Sequence, residues 1–135
     1  MPARDIHRPN DLARQLLAFE TTKPSASKAS PVFLVFVKMR GPLATVLGVE
    51  GFRSLVSRAH ALACSEMEWL RNVAVESDGS LRGEEKARAD LDGAAIKAGE
   101  VALVAELLGL LFIFIGPQLT EQLLRTIWPK VRPAK

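Results

Sequence analysis

A run of sixteen residues, from Val101 to Gly116, carries Glu106 as its only charge. On a helical projection, apolar side chains surround this segment on every side. A helix of that kind must be buried, either in protein or in lipid. One face carries large side chains, and the opposite face carries small ones, which let a second helix approach closely in a membrane or in a soluble bundle. The small residues are Ala98, Ala102, Ala105, Gly109 and Gly116.

The length and the charge of this run favour burial in protein. A helix that spans a bilayer needs about 20 apolar residues, and Glu106 interrupts a shorter run. Gly116-Pro117 then ends or kinks the helix, because proline lacks an amide donor and restricts the residue before it. We therefore predict that residues 94–115 form the central helix of a small all-α bundle. Insertion of residues 101–117 into a membrane is the alternative.

Two further segments predict helices that pack against the central one. In residues 50–70, apolar side chains recur at helical spacing and form one core-facing stripe. This stripe comprises Phe52, Leu55, Val56, Ala59, Leu62, Ala63, Trp69 and Leu70. Residues 117–128 are also amphipathic. Their inward face is predicted to comprise Leu119, Leu123 and Ile127, with Leu124 and Trp128 as further candidates.

Helix and strand are both open for the segment SPVFLVFVKMRGP. The stretch from Val32 to Val37 is β-branched and aromatic, as in a buried strand. Ser30 and Pro31 are typical of a helix start, and Gly41 is typical of a helix end. No other segment offers a comparable strand, and a lone strand cannot satisfy its backbone. We favour a helix that ends near Gly41, followed by a short turn over residues 42–47.

The N-terminal part predicts a helical arm. Residues 11–19 form a short amphipathic helix, and Pro9 disfavours an earlier start. The apolar face of this arm comprises Leu12, Leu16 and Phe19. Residues 21–30 are rich in Ser, Thr, Lys and Pro and predict a flexible linker. The predicted organisation is an arm and linker over residues 1–30, a helical bundle domain over 31–130, and a basic tail over 131–135.

The region between the two long helices predicts small elements. Asp78-Gly79 is a turn signal, with alternating residues before it that fit a very short hairpin. Residues 83–90 predict a short exposed helix. Asp92 is placed to cap the central helix.

Glu66 and Glu106 are two carboxylates in apolar sequence surroundings. If they face each other, they could share a proton or bind a cation, and burial would raise their pKa values. The other interpretation, which we favour, is that each reaches the edge of the bundle or pairs with a basic residue. Candidates for such pairing are Arg53, Arg58 and Lys97.

The sequence offers little other chemistry. His60 and Cys64 are four residues apart, and we expect a surface histidine and an inert thiol. The Glu-x-x-His motif of di-iron bundles is absent, as is a phosphate-binding glycine loop. We therefore predict no catalytic residue, no cofactor and no metal site.

A central helix with more apolar surface than its neighbours can cover favours association. We expect a non-enzymatic protein-interaction or adaptor module that works as a homo-oligomer or with a partner protein. The predicted interface comprises Ala98, Ala102, Ala105, Gly109 and Phe112 of the central helix, with Leu12, Leu16 and Phe19 of the arm.

The alternatives are a small membrane-associated protein and a carboxylate-based ion-binding or enzymatic bundle. Nucleic-acid binding is disfavoured, because the net charge is only +3 and the basic residues do not line up on one helix. The N-terminus shows no apolar signal segment, so we expect a cytoplasmic protein.

Overall fold

The computed structural model describes residues 2–22, 31–87 and 89–130. The predicted linker therefore lies mostly outside the described residues, and the predicted basic tail lies wholly outside them. The elements in chain order are α1 (Pro2–Thr22), α2 (Pro31–Leu47), α3 (Val49–Glu66), a 3-10 helix (Glu68–Asn72), β1 (Ala74–Val75), β2 (Leu81–Arg82), α4 (Glu84–Ala87) and α5 (Gly93–Ile127). The predicted all-α class is confirmed.

The arm helix α1 is longer than predicted. It begins at Pro2 and continues through Pro9, so the predicted start near residue 11 was wrong. An interior proline removes one backbone hydrogen bond, but here it does not end the helix. Leu12 and Leu16 are buried against the body of the chain. The arm therefore belongs to the bundle, where α1 packs against α5 and α2.

The ambiguous segment is a helix, and its predicted end was wrong. α2 runs from Pro31 through Gly41 and Pro42 to Leu47. Its inner face is buried over several turns, so packing outweighs the hydrogen bond that Pro42 cannot make. The buried residues are Val32, Val35, Phe36, Met39 and Leu43.

The stripe predicted on residues 50–70 forms the inner face of α3 and of the 3-10 helix. Its buried members are Phe52, Leu55, Val56, Ala59, Ala63 and Leu70. Leu62 is 37% exposed, so its assignment to the core was wrong. α3 ends at Glu66, because Met67 adopts an extended conformation.

The predicted hairpin is present and covers α3. β1 and β2 pair antiparallel, with Val75 opposite Leu81. Its turn is held by Asp78, whose Oδ1 accepts hydrogen bonds from the amide and the hydroxyl of Ser80 at 3.0 and 2.6 Å. Gly79 has a φ of 88°, and a Cβ there would come within 2.6 Å of the Phe52 ring. Only glycine fits this close approach.

The central helix is the first part of α5. The side chain of Asp92 caps it by accepting a hydrogen bond from the Ala95 amide at 2.8 Å, as predicted. The helix packs mainly against α3 and α1. Its buried apolar residues are Val101, Ala102, Leu103, Val104, Ala105, Leu107, Leu108, Leu110 and Leu111.

A kink at Gly116 divides α5, with φ 88° and ψ 157°. The kink changes which side of the following helix faces the core. Thr120, Leu124 and Trp128 are buried, whereas Leu119 is exposed and Leu123 and Ile127 are only partly buried. Of the predicted inward face, Leu124 and Trp128 are buried, and Leu123 and Ile127 pack against the core while partly buried. Only the assignment of Leu119 was wrong.

A buried carboxylate joins three helices. Glu20 Oε2 accepts hydrogen bonds from Lys38 Nζ at 2.5 Å and from Trp128 Nε1 at 2.8 Å. The Glu20 side chain is 1% exposed. A carboxylate at this depth requires such partners, since an uncompensated buried charge is strongly destabilising. The end of α5 is thus fixed to α1 and α2.

Candidate functional site

Glu66 and Glu106 lie together at the contact between α3 and α5. Glu66 is the last residue of α3, and Glu106 lies in the central helix between the buried residues Ala105 and Leu107. The two carboxyl groups are close enough for Glu66 to act on the pKa of Glu106 through hydrogen bonding and through its charge. Two carboxyl groups can form such a bond only when one of them carries a proton. The structure therefore brings together the two carboxylates that the sequence singled out.

The pKa of Glu106 is raised to about 7. The largest cause is the hydrogen bond to Glu66, because protonated Glu106 is the donor. Partial burial and the negative charge of Glu66 raise the pKa further. At neutral pH, Glu106 is thus divided between its protonated and ionised forms.

Neither glutamate is deeply buried. Glu66 is exposed and Glu106 is half-buried, so both reach the edge of the bundle, as the favoured interpretation expected. Of the basic residues considered as partners, Arg53 instead donates to Glu50 at 3.1 Å. Lys97 lines the same cleft as Glu66.

That cleft lies between α1, the end of α3 and the beginning of α5. Its volume is about 440 Å³. Arg14 and Lys97 place positive charges at its edge, beside Glu66. Its remaining lining residues are uncharged: Asn10, Met67, Ala94, Ala98, Val101 and Ala102. Sequence analysis did not find Asn10 and Arg14, because only the docking of α1 brings them next to Glu66.

His60 and Cys64 do not form a reactive pair. His60 Nε2 lies 2.8 Å from the carbonyl oxygen of Leu70, and Cys64 Sγ lies 3.5 Å from the same nitrogen. The short contact to a carbonyl indicates that this nitrogen carries a proton, since a carbonyl oxygen only accepts. Burial raises the pKa of the Cys64 thiol, an effect that Arg71 partly offsets. A raised pKa disfavours the nucleophilic thiolate.

Within residues 2–22, 31–87 and 89–130, no group of three or more His, Cys, Asp or Glu side chains is arranged to hold a metal ion. The two-carboxylate pair therefore has no third protein ligand of these types among the described residues. Most cation sites use more protein oxygen ligands than two carboxylates supply.

The clearest apolar surface lies just before the kink. Ile113 is 79% exposed and Phe114 is 63% exposed. We call these two residues the Ile113–Phe114 patch. Sequence analysis indicated such a surface only in general terms, because a helix that is apolar all round cannot be covered on every side by so few neighbours. The sequence did not indicate which side stays open.

The residues predicted for an interface fall into two groups. Leu12, Leu16, Ala102 and Ala105 are buried within the chain itself. Ala98, Gly109, Phe112 and Phe19 are only partly buried. Leu12 and Leu16 thus serve the core of the bundle, and an interface formed by the second group stays a prediction.

α5 is long and apolar enough to cross a membrane by length and composition alone. The most apolar window of this helix has a mean hydropathy of 2.2, and 56% of that window is buried inside the bundle. The core helix of a soluble protein has the same properties.

Comparisons with known proteins identify no relative. No protein-family model matches the chain, and no curated protein or solved structure is significantly similar to it.

Proposed function

We propose that this protein is a non-enzymatic helical interaction module that self-associates through the Ile113–Phe114 patch in the cytoplasm. The observation that carries the proposal is the exposure of Ile113 and Phe114, at 79% and 63%, on the most apolar helix of the chain. Large apolar side chains that are adjacent and open to water mark interaction surfaces.

Charge favours a second copy of the chain as the partner. From residue 107 to residue 120, α5 carries no charged side chain. In a two-fold contact the two chains use the same surface patch, so residues near the symmetry axis meet their own counterparts. A charged segment would bring like charges together in such a contact, whereas this uncharged segment does not. Leu119, which is exposed after the kink, adds apolar surface to the same helix.

The size of the patch indicates a weak dimer. Burying an Ile or Phe side chain contributes about 1.5–3 kcal/mol, so two such residues from each of two chains contribute at most about 6–12 kcal/mol. Association itself costs about 4–15 kcal/mol in lost freedom of motion. We therefore expect a concentration-dependent equilibrium between monomer and dimer.

Size-exclusion chromatography with light scattering, over a range of protein concentrations, tests this proposal. Ile113→Lys places two positive charges against each other at the contact and should weaken dimerisation at least about tenfold. Val46→Lys is the matched control, because Val46 is 46% exposed near the end of α2 and a lysine suits either position in a helix. The control should dimerise like the wild type. A monomer at all concentrations, or equal weakening by both variants, would refute the proposal.

Membrane association is the second candidate function, and the length and hydropathy of α5 favour it. It requires the helix to exchange its contacts with α1 and α3 for lipid. Flotation with phospholipid vesicles separates the two candidates. Wild-type protein that floats with the vesicles, while Ile113→Lys stays behind, would favour the membrane. Protein that dimerises in buffer and does not float would favour self-association.

A further inference from the structure

The cleft between α1, the end of α3 and the beginning of α5 carries charges of both signs. Arg14 belongs to α1, Glu66 is the last residue of α3, and Lys97 lies near the start of α5. The volume of the cleft, about 440 Å³, falls within the range of sites that hold small molecules. Because all three side chains line one cleft of this size, a single small molecule can contact charges of both signs.

The rest of the cleft wall on α5 is made of small, apolar side chains. Ala94, Ala98 and Ala102 recur every four residues and therefore lie on one side of the helix. An alanine side chain ends at its Cβ, so this stretch of α5 leaves space next to α1 instead of filling it. Met67 and Val101 add larger apolar surface to the same cleft. A ligand that matches this lining has an apolar body as well as charged groups.

The charged groups of the cleft are accessible from water. Glu66 and Lys97 are exposed. The Arg14 side chain is 62% exposed, and its contact with Asp11 is long, at 3.8 Å. Exposed ion pairs of this kind contribute little to stability, so Arg14 can exchange Asp11 for a ligand with little loss.

We infer that this cleft binds a small zwitterion with an apolar body, of the chemical class of a free apolar amino acid. Its carboxylate accepts hydrogen bonds from Arg14 and Lys97, and its ammonium group donates to Glu66. Its side chain covers the alanines of α5. The charge of the lining selects this class, because a plain cation would meet two positive side chains and a phosphate would meet the carboxylate of Glu66.

This binding site is separate from the proposed self-association. Ala98 lies about 22 Å along α5 from Ile113, at 1.5 Å per residue. A ligand in the cleft therefore leaves the Ile113–Phe114 patch open, and each proposal can fail without the other.

Backbone amide chemical shifts of the isotope-labelled full chain, recorded while L-leucine is added, test the inference. The amides of residues 10–14, 66–67 and 94–102 should shift and saturate. The dissociation constant should be about 1–10 mM, as expected for so small a ligand in an open site. Isocaproate is leucine without its ammonium group, and isoamylamine is leucine without its carboxylate. Each should bind at least about two- to fivefold more weakly than leucine, because each loses an exposed ion pair.

Variants of the charged residues test their separate roles. Lys97→Gln and Glu66→Gln should each weaken leucine binding about two- to fivefold. Glu66→Gln should not weaken the binding of isocaproate, since that molecule has no ammonium group. Arg53→Gln is the matched control and should bind leucine like the wild type. Arg53 is a helical cation whose side chain is 40% exposed, and it does not line the cleft.

Filling the cleft should abolish binding. Ala98→Leu places a larger side chain inside it, whereas Ala61→Leu places the same side chain on an exposed position of α3. Leucine should cause no saturable shifts in the first variant and wild-type shifts in the second. The amide spectrum of each variant also shows whether it is folded.

The comparison of the three ligands uses only the wild-type chain and so needs no stable variant. Saturable shifts at the cleft that are tightest for leucine would support the inference. It is overturned if leucine causes no saturable shift up to about 50 mM, or if isocaproate or inorganic phosphate binds as tightly as leucine. Equal weakening by Lys97→Gln and Arg53→Gln would also overturn it.

Discussion

The indole of Trp128 donates a hydrogen bond of 2.8 Å to the carboxylate of Glu20, which lies 108 residues earlier in the chain. The same oxygen accepts a hydrogen bond from Lys38. Because the carboxylate is buried, these two contacts stabilise the packing of the end of α1 against the end of α5. Several properties of the protein should reflect this arrangement and the others described above.

Removal of the buried charge should be more damaging than removal of its indole partner. Glu20→Gln takes away the counter-charge of Lys38 and should lower the free energy of unfolding by about 2 kcal/mol or more. Trp128→Phe removes one hydrogen bond to the carboxylate and should cost about 1–2 kcal/mol. Urea titrations measure both values. Glu50→Gln, which removes an exposed ion pair, should change stability by less than about 0.5 kcal/mol.

Two glycines of α5 should respond in opposite ways to the same substitution. At Gly99 a Cβ would come within 2.4 Å of the Trp69 ring, whereas at Gly109 it would meet nothing within 4 Å. Gly99→Ala should therefore destabilise the protein by about 1–3 kcal/mol. Gly109→Ala should stabilise it by about 0.5–1 kcal/mol, because alanine favours the helix. Equal effects in chemical unfolding would show that Trp69 does not lie against Gly99.

Gly109→Ala also tests the predicted small-residue interface. If a helix of a second copy packs directly on Gly109, the added methyl group should weaken dimerisation while it stabilises the monomer. Sedimentation velocity at several concentrations separates the two effects. Unchanged dimerisation would leave the Ile113–Phe114 patch as the contact surface.

The cap at the start of α5 should contribute measurably to stability. Asp92→Ala removes the hydrogen bond to the Ala95 amide and should cost about 1 kcal/mol. Asp90→Ala is the control, because Asp90 is exposed and precedes the helix. Circular dichroism during thermal unfolding should show a lower midpoint for the first variant only.

The thiol of Cys64 should react slowly in the folded protein. Its pKa is raised by burial, so little thiolate forms at pH 8, and the thiolate is the reactive species. Iodoacetamide should modify the native chain more slowly than the urea-unfolded chain at that pH. A faster reaction in the native chain would indicate activation by His60, contrary to the contacts described.

Local periodicity predicted much of the fold. The stripe of α3 and the extent of the central helix could be predicted because each depends on side chains within a few turns of one another. The prediction failed for Leu119, which is exposed, since the positive φ of Gly116 changes the phase of the next segment. It failed at Pro9, where α1 continues through the proline. It failed at Pro42 because the buried packing of Met39 and Leu43 outweighs one lost hydrogen bond.

The sites differ in how well they could be predicted from the sequence. Glu66 stood out on the apolar stripe of α3, and Glu106 stood out as the single charge of an apolar run, and these signals sufficed to name both. The hydrogen-bonded group of Glu20, Lys38 and Trp128 had no such signal, because its three residues come from distant parts of the chain. The exposed position of Ile113 and Phe114 likewise depends on where α1 and α3 lie, which no local pattern encodes.

The long separation between Glu20 and Trp128 has a consequence for biosynthesis. A ribosome releases α1 and α2 well before it has translated the indole that completes their contact with α5. During that interval the nascent chain holds a carboxylate that lacks one of its two hydrogen-bond donors, so the first two helices should stay dynamic until Trp128 has been translated. Chaperones that bind nascent chains would meet them in that state.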